Sequence, residues 1–178
     1  ATFGLTGGGC VNVTISDPIN TTTGTLTKEG SGTLTLTAAG TYTGATTISA
    51  GVMNLQNATA LGTVAGGVTV SDGAALEVQG GIAVGAETLT LNGTGISSGG
   101  ALRNITGNNS YAGVITLGSA SRINSEAGTL VINSAGNITG ATFGLTVGGS
   151  GNVTISDPIN TTTGTLTKDG SGTLTRAE

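Results

Sequence analysis

KEGSGTLTLTAAGTYTGATTISAGVMNL, residues 28–55, decides the fold. Leu34 and Leu36 fall on one side of an extended chain, with Thr33, Thr35 and Thr37 on the other. Ile48 and then Val52 and Leu55 begin further short runs, each closed by glycine. No run is long enough for a helix, and turn residues bound every one of them. The stretch therefore reads as strand, corner, strand, corner.

The remainder of the chain repeats this grammar. Short β segments are expected around residues 11–15, 34–37, 68–70, 76–78, 89–91, 114–117 and 130–132, with weaker ones at 3–6, 82–84, 102–105 and 122–124. Asp72-Gly73, Asn92-Gly93 and Ala127-Gly128 stand where turns are needed. Of the 178 residues 34 are glycine, while aromatics make up only 2%. So few large side chains would leave a wide sandwich core empty, whereas a narrow core of stacked aliphatic layers is readily filled. Net charge is only −4 and mean hydropathy is +0.25, which argues against disorder. Two or three strands with their corners make coils of roughly 20–25 residues. The expectation is an all-β right-handed parallel β-helix of about eight coils, about 40 Å long.

A longer repeat overlies the short ones. Residues 1–35 recur at 141–175 and differ only at Gly7/Val147, Cys10/Ser150, Val11/Gly151 and Glu29/Asp169. The expected organisation is a single solenoid segment, with a long unit at 1–140 and the start of a second at 141–175. Without a signal peptide or initiating Met, the chain is expected to be a mature or excised segment.

Residues 28–55 resemble the passenger-associated repeat of bacterial autotransporters, of pattern K-x-G-x-G-T-L-x-L-x-x-x-x-T-Y-x-G-x-T-x-I-x-x-G-x-L-x-L. Lys28, Gly30, Gly32, Thr33, Leu34, Leu36, Thr41, Tyr42, Gly44, Thr46, Ile48, Gly51 and Leu55 match it, with Val52 taking the aliphatic slot beside Met53. Lys168 to Thr175 opens a second copy. The resemblance implies a secreted or cell-surface passenger segment of parallel β-helix, exported through an outer-membrane barrel.

Catalytic chemistry finds few candidates. The chain has no His, which removes Ser-His-Asp and Cys-His arrangements. Asp72 and Glu77 with Arg103 or Arg122 form the one arrangement that a polysaccharide lyase or hydrolase on this fold would use. Zinc-ligand spacing is absent, and Gly148-Gly149-Ser150-Gly151-Asn152 is a lone imitation of a calcium-roll repeat. No cofactor or metal is implied. Five scattered cations give no basic stripe for nucleic acid, and no apolar run is long enough to cross a membrane.

Three features point to binding instead. Thr-x-Thr pairs at Thr33/Thr35/Thr37, Thr25/Thr27, Thr41/Thr43 and Thr88/Thr90 belong to the chemistry of ice-binding faces, although their spacing is irregular. Asn-x-Ser/Thr sequons begin at Asn12, Asn20, Asn57, Asn92, Asn104, Asn108, Asn137, Asn152 and Asn160, and polar ladders account for them as well as glycans do. Cys10, the only cysteine, is a candidate intermolecular contact. Solenoid edges recruit other strands, so end-to-end self-association is the expected partnership, with cell-surface or glycan ligands as further candidates. The functional expectation is a non-enzymatic extracellular scaffold, adhesin stalk or filament subunit, with the polysaccharide-acting enzyme and the glycan- or ice-binding module as alternatives.

Overall fold

The computed structural model describes residues 3–5 and 11–176. It is an all-β solenoid of about eight turns in which every strand pairing is parallel. The early turns carry strands on two faces, and from Val68 onward each full turn carries strands on three; the same face is reached again after about 21 residues in the most regular turns.

The first face begins with Phe3–Leu5, Leu26–Lys28, Thr46–Ile48, Val68–Val70 and Leu89–Gly93. It continues through Ile115–Leu117, Ile138–Thr139 and Ile159–Asn160. The second face stacks Val13–Ile15, Thr33–Leu36, Val52–Leu55, Ala75–Gln79 and Leu102–Thr106. Residues 121–125 extend it, followed by Leu145–Gly148 and Leu166–Lys168. The third face is a separate five-stranded sheet of Ala83–Val84, Asn109–Tyr111, Thr129–Ile132, Asn152–Ile155 and Leu174–Arg176.

One feature departs from the expected pattern. The segments expected at 114–117 and 122–124 are a single strand, Ile115–Ser125, which rounds the corner without a break. Its first half pairs with Leu89–Leu91 and its second half with Leu102–Asn104, so it fuses the first two faces into one fifteen-stranded sheet. Gly118-Ser119-Ala120 stays within the strand across a register shift, where pairing passes from Leu91 with Leu117 to Gly93 with Ser121 and the Gly93 amide donates to Ser119 Oγ at 2.8 Å.

Inward positions stack as ladders of like residues. Leu34, Met53, Leu76, Leu102, Ile123 and Val147 form one, and Val84, Tyr111, Ile132 and Ile155 another. All ten are essentially fully buried. Each such side chain contributes about 1.5–3 kcal/mol by burial. A third ladder, Leu36-Leu55-Val78, turns polar at Asn104 and Ser125. There the Asn104 amide donates to Ser125 Oγ at 3.0 Å and to the Ala127 carbonyl at 2.8 Å, and accepts from Asn109. The buried amides are therefore matched to fixed acceptors, as burial demands.

Candidate functional site

The repeat motif builds a corner. Lys28 ends its strand pointing inward and is almost fully buried. Its ammonium donates to the carbonyls of Glu29 (2.8 Å) and Gly30 (2.7 Å) in its own corner, and to Ala50 (3.1 Å) in the corner of the next turn. Burial lowers its pKa from the ordinary lysine value, yet three carbonyl dipoles oppose that loss of charge. Gly51 makes the nesting of the two corners feasible. Its φ is +70°, and a Cβ there would collide with the Gly30 and Gly32 carbonyls and lie 2.6 Å from Lys28 Nζ.

The other motif residues serve the same stacking. Leu34, Leu36, Ile48 and Leu55 fill the core, and Gly44 lies where any Cβ would strike the Gly24 carbonyl. The Thr33 amide donates to Asn12 Oδ1 at 2.8 Å, and Thr41 Oγ1 to Asn20 Oδ1 at 2.9 Å, each across one turn. Tyr42 is buried, with its hydroxyl 2.8 Å from Thr46 Oγ1. Burial pushes its pKa up to about 12, with Glu87 adding to the rise and the Thr46 hydrogen bond opposing it. In Lys168 the corner recurs with carbonyl bonds to Asp169 and Gly170. Cys10 lies outside the described residues.

Of the acids and bases singled out from sequence, Glu77 and Arg103 do meet. Arg103 donates to Glu77 at 2.9 Å and to Glu126 at 3.1 Å. Asn54 donates to Glu77 at 3.0 Å and Asn124 to Glu126 at 2.9 Å, and Arg122 reaches both Asn124 and Asp169. The result is a mixed-charge chain along the second face from Asn54 to Asp169, in which each carboxylate is hydrogen-bonded. Asp169 is held below the usual carboxylate range chiefly by its hydrogen bonds from Arg122. Asp72 stands apart in the turn between Val70 and Ala75. Sequence reading missed Glu126, Asn124 and Asp169 as members, because Arg122 and Asp169 are 47 residues apart. Among the described residues no group of three or more His, Cys, Asp or Glu is placed to hold a metal ion.

The sequons divide by environment. Asn12, Asn108 and Asn152 each accept the amide of a threonine one turn later, at 2.8, 3.0 and 2.9 Å. Asn104 is fully buried, which closes it to a glycan in the folded chain. A hollow of about 440 Å³ near Ile159, Asn160, Thr161 and Thr162 contains no charged lining residue.

The outer surface of the first face carries what the linear spacing conceals. Thr27, Thr47, Thr69, Thr90, Thr116 and Thr139 are paired in consecutive register, followed by Asn160. Each lies between inward neighbours and is half-buried or exposed. Thr116 and Thr139 bring their hydroxyls within 3.4 Å. At the inter-strand spacing of about 4.8 Å, the six hydroxyls form a straight row about 24 Å long.

No curated protein and no solved structure gives a significant match to the chain. Among the described residues no helix is long and apolar enough to cross a membrane. Residues 26–55 match the family model described as passenger-associated-transport-repeat. That match covers the nested corners built by Lys28 and Gly51, and together with the β-solenoid it fits an autotransporter passenger repeat.

Proposed function

We propose that this chain is an extracellular scaffold segment of an autotransporter passenger, a surface stalk or adhesive support able to associate end to end. The observation that carries this reading is the parallel ladder itself. Motif side chains bind the next turn rather than converging on a reacting centre, as Lys28 does at Ala50 and Asn12 at Thr33. The paired state of Glu77 and Arg103 supports a structural use of those charges over the lyase or hydrolase reading. Strand edges at Val13–Ile15 and Leu166–Lys168 pair on one side only among the described residues, which supports strand-on-strand association.

Sedimentation velocity and negative-stain microscopy over a wide concentration range test the association. Fibres one solenoid wide support it, and a rod-like monomer at every concentration refutes it. Protease shaving of intact source cells tests the surface assignment: release of peptides from this segment is expected, and complete protection overturns it.

A second reading, a glycan- or ice-binding module, is favoured by the threonine row on the first face. Cosedimentation with crystalline polysaccharide and ice-recrystallisation assays examine it. Thr69→Lys and Thr116→Lys should abolish any activity seen, and retention of activity in both would remove the row from consideration.

A further inference from the structure

The 35-residue repeat does not return to the face it started from. Val13–Ile15 lies on the second face and pairs with the strand that follows it there. Its copy, Val153 to Ile155, lies on the third face, paired with Leu130–Ile132. Leu26–Lys28 lies on the first face against Thr46–Ile48, whereas the identical Leu166–Lys168 lies on the second, against Leu145–Val147. Thr33–Leu36 belongs to the second face, and the equivalent Leu174–Arg176 to the third. The same residues thus fold into the same strands and corner one face further round.

The cause lies in the turn lengths. Following paired residues up the second face from Thr14 gives Thr35, Asn54, Glu77, Arg103, Asn124 and Gly148. Six turns therefore end at Gly148, short of Thr154, the copy of Thr14. The remaining residues carry the chain round one more corner. The longest step, 26 residues from Glu77 to Arg103, contains the inserted loop with Ile96–Ser98, yet it still falls short of bringing the repeat back into phase.

We infer that tandem copies of the 140-residue unit form a threefold screw, each copy advancing by six turns and one face. At about 4.8 Å per turn the step is about 30 Å, and three copies regain the starting face after about 90 Å. The first two faces and the third are interchangeable hosts for the motif, because the motif specifies a corner and two strands without specifying a side of the rod. Any surface feature carried once per unit is displayed on three sides in succession. The threonine row shows the handover: Thr27 opens it on the first face, while its copy Thr167 sits on the second, in register with Thr146. If the row binds a ligand, as in the second reading above, an array suits partners distributed around the rod, or a flexible chain wound about it. A flat lattice longer than one unit would lose contact at each handover.

Disulfide trapping in the Cys10→Ser chain tests the geometry independently of any ligand. Parallel register neighbours have Cα atoms about 4.8 Å apart, within the range a disulfide spans. Thr146→Cys with Thr167→Cys should oxidise within one chain, taking free thiols from about two per chain to none. Thr139→Cys with Asn160→Cys should do the same on the first face. Thr139→Cys with Thr167→Cys, the pair that an in-phase repeat would bring together, should keep both thiols free. Trapping of that last pair, or failure of Thr146/Thr167 to close in a chain whose circular dichroism matches the parent, would overturn the screw.

Discussion

Tyr42 and Tyr111, the latter closing a third-face strand, are each followed by x-Gly and a strand of the first face, yet their hydroxyls meet opposite fates. Four residues after Tyr42 stands Thr46, buried and 2.8 Å from the phenol oxygen. Four residues after Tyr111 stands Ile115, and the Tyr111 hydroxyl is buried without a hydrogen-bond partner. Tyr42→Phe removes the bond to Thr46 Oγ1, which it strands, and a longer one to the Ala60 carbonyl at 3.5 Å, at a cost of about 1–3 kcal/mol. Tyr111→Phe deletes an unpaired polar atom, which should return about 1–2 kcal/mol of desolvation. The hydroxyl-sized void it leaves costs only a few tenths of a kcal/mol. The two substitutions should therefore differ in sign. The chain has no Trp and only two Tyr, so each variant keeps one tyrosine as a fluorescent reporter of its own surroundings. Urea melts followed by that fluorescence and by far-UV circular dichroism give both midpoints. Equal destabilisation by the two variants would refute the account, because it would mean that ring packing alone decides both sites.

Gly51→Ala combines a φ of +70° with a collision against two carbonyls and should abolish folded protein, whereas Gly73→Ala, at φ +76° with open space around it, should cost only about 1–2 kcal/mol; soluble yield and melting temperature separate them. Lys28→Met leaves three corner carbonyls without their donor and should lower stability by more than about 2 kcal/mol, while Lys168→Met, at an exposed site, should change the melt little. Glu87 is almost fully buried, and desolvation raises its pKa, so its folded-state contribution is complete below the ordinary carboxyl pKa and is lost as pH rises through the raised one. Glu87→Gln should accordingly stabilise at pH 7 with no gain at pH 4, read from melts at the two pH values. Tyr42 titrates at about 12 when folded and near 10 when unfolded, so its contribution is lost between those values; midpoints should fall from pH 10 to 12, less so in Tyr42→Phe than in the parent.

How much of this could be read from the sequence depends on whether a feature lives within a turn or between turns. The corners were legible, because Lys28, the glycines at 30, 32, 44 and 51, and the alternating Leu34-Thr35-Leu36 act over a few residues of chain. Alternation fixes which side chains face inward, and it did so for Leu34, Leu36, Ile48 and Leu55. Relations between turns are different, since they depend on the running sum of turn lengths. The steps on the first face are uneven: Thr27 to Thr47 is shorter than Thr90 to Thr116, so the six threonines share no constant spacing in the sequence. The same unevenness hid the Asn54-to-Asp169 polar chain, and it split Ile115–Ser125 into two expected segments where one strand runs on through a register shift. It follows that the solenoid tolerates insertions such as Gly95–Ala101 without losing its ladders, since parallel pairing needs only that each strand find its neighbour. What such insertions change is phase, the angle at which the next copy of the motif meets the outside. Evolution of turn length in a rod of this kind therefore acts first on which side a surface feature faces, and only secondarily on whether the rod is stable.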